Sequence, residues 1–195
     1  LKGVTVVRTV EEALSAGDEL KNAGQLKAAL AAYEEVFILD PANISGLAAI
    51  SILQHDLGLI PAAIDNYRTY LAKNPLSVEH VVRLSRLLAS EGDEAGAWNV
   101  IINYVNAGGI DPEVAITSAY LALHIGRADL AHKVTSWLMQ KFPDDINLKL
   151  ASIEIAGLIG DYATVIRVVD EVRIHEPDIR FSSRHVNIPY HRMTQ

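Results

Sequence analysis

Five glycines, Gly24, Gly58, Gly92, Gly126 and Gly160, follow one another at intervals of 34 residues. A chain that repeats itself every ~20–50 residues builds a row of similar supersecondary units, each burying its apolar face against its neighbours. Other positions keep the same register. Five residues after each glycine come Ala29, Ala63, Ala97, Ala131 and, larger, Val165. Prolines close the cycles at Pro41, Pro75, Pro143 and Pro177, with Gly109 in the third place. The cycles cover 10–43, 44–77, 78–111, 112–145 and 146–179 of a 195-residue chain.

Each cycle reads as two helices. In the first, Ala13, Ala16, Gly17 and Leu20 recur at helical spacing on one stripe of a helix near 10–22. Gly24 supplies a turn, because glycine accepts the left-handed backbone that ends a helix. A second helix from about Leu26 to Leu39 presents Ala29, Leu30, Tyr33 and Phe37, and Pro41 stops it. The small residue at Ala29 lets the two helices approach, and Tyr33 fills the space between neighbouring pairs.

Composition narrows the function classes. Half of the residues are apolar and only 6% aromatic, which favours helices in close contact, and no apolar run reaches the length of a membrane span. The lack of cysteine excludes disulfides, thiolate metal sites and a cysteine nucleophile, and leaves the compartment open. A soluble chain is expected, with the cytoplasm slightly favoured and export still open. The opening on Leu1 rather than Met marks the sequence as a processed or excised piece, from which a signal peptide could have been removed. The net charge is −7, yet all 24 acids and only 12 of the 17 Lys and Arg residues lie between 10 and 179, so the body carries −12. Such a body repels a phosphate backbone, which excludes nucleic acid as the main partner.

Period, two-helix unit, small–x–x–x–aromatic step and closing proline together resemble the tetratricopeptide repeat family over residues 10–179. The resemblance implies an all-α, right-handed α-solenoid of five tandem 34-residue helix–turn–helix repeats. The pattern has departures. The family's early Trp is Ala13, Leu47, Val81, Ala115 and Lys149, and its late small residue is Val36, Tyr70, Tyr104, Leu138 and Val172. Ile153 stands where Gly17, Ser51, Ser85 and Ala119 stand earlier, which predicts a spread last pair.

In this family the first helices of successive pairs line a concave groove for an extended peptide or partner helix. Mapped here, the groove places are Asp18, Lys21 and Asn22, then Ala48, Ile52 and His55. Val82, Arg83 and Arg86 follow, then Tyr120 and His124, then Glu154. Arg83 and Arg86, at i and i+3, are placed to grip a carboxylate or phosphate, unless Glu79 simply pairs with Arg83 along the helix. The Lys-and-Asn clamp by which some members hold chaperone tails is not matched, since Leu14, Asp18 and Ala49 occupy its places. Leu130, Val134 and Trp137 form a stripe at i, i+4 and i+7 away from the packing stripe. It reads either as a second interface, for self-association, or as local repacking.

No catalytic or metal constellation emerges. There is no phosphate loop, G-x-S-x-G elbow or H-E-x-x-H, and His124 and His132 flank a turn instead of sharing a helix face. The acidic pairs Glu34–Glu35, Asp144–Asp145 and Asp170–Glu171 read as solvated surface. No cofactor and no metal are expected. Residues 1–9 read as an extended segment, and 180–195 as a basic tail, or the start of a further domain, that covers the last repeat through Phe181, Val186, Ile188 and Tyr190 or folds onto the acidic body. The expectation is a non-catalytic scaffold with a protein or peptide partner, carrying acidic groups if the arginines anchor it. The alternative is the recruitment or substrate-selecting domain of a larger enzyme, for example a glycosyltransferase.

Overall fold

The computed structural model describes residues 8–179. The expectations for residues 1–7 and for the tail from 180 onward therefore lie outside the described residues. Within them the chain is all-α, with ten helices. The first three hairpins are α1 (Val10–Asn22) with α2 (Leu26–Leu39), α3 (Ile44–Asp56) with α4 (Ile60–Lys73), and α5 (Val78–Ser90) with α6 (Glu94–Asn106). Then come α7 (Pro112–His124) with α8 (Ala128–Lys141), and α9 (Ile146–Ile159) with α10 (Tyr162–His175). First helices begin at 10, 44, 78, 112 and 146, and second helices at 26, 60, 94, 128 and 162, so both series advance in steps of 34. The chain divides into two compact units, 1–84 and 85–195, with α5 running across the boundary.

The turn inside every hairpin is the same hydrogen-bonded device. Each repeat glycine takes a positive φ, from 74° at Gly24 to 82° at Gly92. The glycine N–H donates three residues back, as Gly24 to the Lys21 carbonyl at 3.0 Å. The next N–H donates five back, as Gln25 to Leu20 at 2.9 Å and Arg127 to Ala122 at 2.7 Å. These are the two bonds of a Schellman motif, which satisfies carbonyls that the helix end leaves open. The first helices also begin alike. Thr9, Asn43, Ser77, Asp111 and Asp145 hold a second 34-residue register of cap-forming residues just before them. Thr9 closes a capping box with Glu12, and Asn43, Asp111 and Asp145 accept from Gly46, Glu113 and Leu148 N–H groups. Each such cap contributes about 1 kcal/mol.

Hairpins are held together by size-matched contacts. Gly17 on α1 is buried because the Tyr33 ring lies over it; a Cβ there would run into the ring. Tyr33 also joins Ala29, Ile50 and Leu53 in a cluster that ties the first hairpin to α3. At the equivalent places further on stand Ser51 and Tyr67, Ser85 and Ile101, Ala119 and Thr135, then Ile153 and Val169. An aromatic occurs only opposite Gly or Ser. In the last hairpin Ile153, fully buried, packs with Val165, Val168 and Val172, so the bulk has moved from the second helix to the first.

The third hairpin departs at its exit. Gly108 at φ 88° and Gly109 replace the usual residue–proline step, and α6 ends one residue short of its siblings. Ile153→Ala should lower stability by about 2–5 kcal/mol, as large-to-small core changes do. The same change at Ile174, which is 76% exposed, should stay within about 0.5 kcal/mol in urea titrations followed by circular dichroism.

Candidate functional site

In the second unit, α5 and α7 enclose a cavity of about 290 Å³ whose lining includes Arg86, Ser90, Thr117, Tyr120 and His124. Three groove places read from the sequence, Arg86, Tyr120 and His124, thus meet in one recess. Each has a different electrostatic situation. Tyr120 donates to Glu154 at 2.6 Å, and burial followed by that hydrogen bond pushes its phenol pKa up, so it stays protonated. His124 Nδ1 lies 3.4 Å from Glu94 at the exposed rim. Arg86 donates to the buried Thr117 hydroxyl at 3.3 Å, and among the described residues no carboxylate pairs with it. A guanidinium with a neutral partner keeps donors for a bidentate acceptor from outside.

The other groove places divide between buried, locally paired and exposed side chains. Asp18 accepts from the Tyr33 hydroxyl at 2.6 Å, and Ile52 and Val82 are buried. His55 Nδ1 sits 3.3 Å from the Tyr67 hydroxyl. Arg83 donates to Glu79 at 3.0 Å, so the helix pairing is present, and its second head nitrogen is 3.6 Å from Asp56. Lys21 and Asn22 are exposed at the end of α1, and Ala48 is half-buried.

Two sequence readings need correction. Leu130 and Val134 do not lie away from the core; both pack against the cluster of Ala119, Ala122, Ala131 and Ile155. Only Trp137 of that stripe is exposed, at 46%. Glu171 is not mere solvated surface. Its carboxylate is 3.3 Å from the buried Lys149 ammonium and 3.7 Å from Arg167. A buried lysine left unpaired would be strongly destabilising, so the acid on α10 is required. The signal was available: Lys149 stands in a register otherwise held by Ala13, Leu47, Val81 and Ala115, where a charge must bring its partner.

His80 is the other group that residue patterns missed. It is buried, stacked on Tyr70 with ring centroids 3.9 Å apart, and bonded through Nδ1 to Ser77 at 2.9 Å. Its Nε2 is buried without a hydrogen bond of good geometry, although the Ala48 carbonyl acts on the ring. Among the described residues no cluster of three or more His, Cys, Asp or Glu could hold a metal ion, and no helix is long and apolar enough to cross a membrane.

By sequence, the chain matches no protein-family model and no curated protein. By structure it matches a tetratricopeptide repeat protein from Parabacteroides merdae at a TM-score of 0.74 and 17% identity, over 94% of this chain and 70% of that one. The fold is that of the tetratricopeptide repeat. A thermophilic tetratricopeptide repeat protein in Thermus thermophilus aligns at TM-score 0.63 and 18% identity, covering 87% of this chain and 93% of its own. YrrB, described as a tetratricopeptide repeat protein with an unusual peptide-binding site, aligns at 0.61 and 14% identity, with 87% and 88% covered. At 14–18% identity the likeness is one of fold.

His80 makes the repeat sensitive to acid. Burial pushes its pKa below the ordinary 6.5, against the opposing pull of the Ala48 carbonyl and Glu79, while Arg83 adds to the lowering. As pH falls through 6.5 the unfolded chain takes up a proton that the folded chain refuses, so stability declines, by at most about 1.4 kcal/mol per pH unit. His80→Phe should lose less stability than the parent between pH 7.5 and 5.5. Parallel urea-midpoint curves for the two proteins would contradict this.

Proposed function

We propose that the chain is a non-catalytic protein-interaction scaffold whose second unit holds an extended, acidic segment of a partner at the Arg86 recess. The carrying observation is the state of Arg86: in a body of net charge −12, it is a guanidinium beside a cavity whose partner among the described residues is a hydroxyl. Ordinary repeat stability does not need a cation there, whereas Arg83 already serves two acids of its own unit. Tyr120 and His124 then act as the shaped walls, with their polar atoms committed to Glu154 and Glu94. Those two acids limit where a carboxylate can enter, which restricts the approach to the Arg86–Thr117 side.

Selection of peptides from a displayed random library tests the reading. Binders should be enriched in Asp and Glu, should weaken with added salt, and should lose about 10- to 100-fold in affinity to Arg86→Glu. Arg167→Glu, on the exposed face of α10, should bind as the parent does. Selected peptides without acidic residues, or equal affinity for the Arg86→Glu chain, would overturn it.

A further inference from the structure

The second unit has another cavity, of about 390 Å³, bordered by the end of α6, the Gly108–Gly109 exit, α7 and α8. Polar side chains in its lining are few. The Ser118 hydroxyl is spent on the Ala115 carbonyl at 2.7 Å, and Asp111 accepts from the Glu113 N–H. Apart from these and the Tyr104 hydroxyl, the side chains are apolar. Val105, Ile110 and Trp137 line the cavity and are nevertheless 58%, 63% and 46% exposed, so apolar surface continues from it onto the face around it. Apolar surface gathered about a pocket marks a contact site, as scattered residues do not. Charge on this face comes in both signs. Lys133, Trp137 and Lys141, all exposed, follow at four-residue steps along one face of α8. Lys141 has no ion pair among the described residues, and Asp129, one turn from Lys133, is already held by Arg127 at 3.0 Å. On the α7 side stand half-buried Asp111 and exposed Glu113, neither in an ion pair among the described residues.

We propose that two copies of the chain pair through this face across a two-fold axis, Trp137 of each entering the cavity of the other. A two-fold contact requires a patch that complements itself. Here a knob, a hole and both signs of charge lie together on one chain, whereas an unrelated partner would need the hole or the knob and not both. The lysines on either side of each Trp137 then meet Asp111 and Glu113 at the rim of the other copy. Tryptophan seated in a pocket is the type of residue that dominates such contacts. Each body carries −12, but charges farther apart than about 8 Å are screened at physiological salt, which leaves the short-range pairs to decide.

Sedimentation equilibrium of the full chain over a concentration series reads the pairing directly. The parent mass should approach twice 21.3 kDa, and Ile174→Glu, on the exposed face of α10, should follow the parent. Trp137→Glu should keep its helicity and raise the dissociation constant at least about 30-fold, as loss of a dominant contact residue does. Charge reversal gives an independent measure. Lys133→Glu with Lys141→Glu should weaken pairing, and so should Glu113→Lys alone. Mixed together, these two variants should pair again as one-to-one heterodimers, because each then offers the sign that the rim of the other requires. Arg86→Glu should pair as the parent does, which separates this contact from the Arg86 recess. A chain that stays monomeric up to about 1 mM, a Trp137→Glu curve equal to that of the parent, or a mixture that pairs no better than its components would each overturn the proposal.

Discussion

The close approach of the two helices in a hairpin is what the rest of the molecule depends on. It needs a turn that reverses the chain within three residues and a pair of facing places that are not both large. The Schellman turn satisfies the first condition through backbone hydrogen bonds and one left-handed glycine, which costs a side-chain-bearing residue about 1–2 kcal/mol to imitate. Tyr33 over Gly17 satisfies the other. Once these are met, side chains further along each helix are free to vary, because stability in such arrays comes from contacts between adjacent helices rather than from one central core.

That freedom explains why the chain keeps its fold without sequence matches to curated proteins. The register residues fix geometry, and the polar residues between them are spent locally. Asp18 steadies Tyr33, Glu154 steadies Tyr120, and Glu171 neutralises Lys149. A lysine at a buried place is tolerated only because α10 offers an acid within 3.3 Å. Arg86, whose partner among the described residues is a neutral hydroxyl, departs from this local pairing. It is the reason a binding reading attaches to the second unit rather than to the first.

Much of the fold was legible because backbone requirements leave strict marks. Gly24 and its four successors, Pro41 and its partners, and the alanines five places on are each dictated by local geometry, so helix starts and the repeat length follow from residue type. The cap register of Thr9, Asn43, Ser77, Asp111 and Asp145 was equally visible but mixes four residue types, which hides it from an identity-based reading. The site was less legible. Whether Arg83 or Arg86 is open to a partner depends on which acids the neighbouring helices bring near, and a one-dimensional spacing does not carry that. Leu130 and Val134 stayed open between interface and repacking for a related reason. A helix between two layers has two buried stripes, and until the neighbouring helix is in place the outer stripe is indistinguishable from an exposed apolar patch.

The fourth hairpin shows how far one repeat can vary without losing its place in the array. Ala115 leaves less side chain at a place that Leu47, Val81 and Lys149 fill in the second, third and fifth hairpins, as Ala13 does in the first, and large-to-small differences of this kind cost of order 2–5 kcal/mol. A nearest-neighbour array can carry one such defect, since the hairpins on either side keep their own contacts. The defect would nevertheless be expected to close by local collapse unless its walls were held apart. Here they are: Asp111 caps α7 and fixes its start, while Tyr104 is wedged against Gly109, where a Cβ would strike the ring. The glycine that displaces proline therefore admits the tyrosine, and the tyrosine lines one wall of a cavity of about 390 Å³ between α6, α7 and α8.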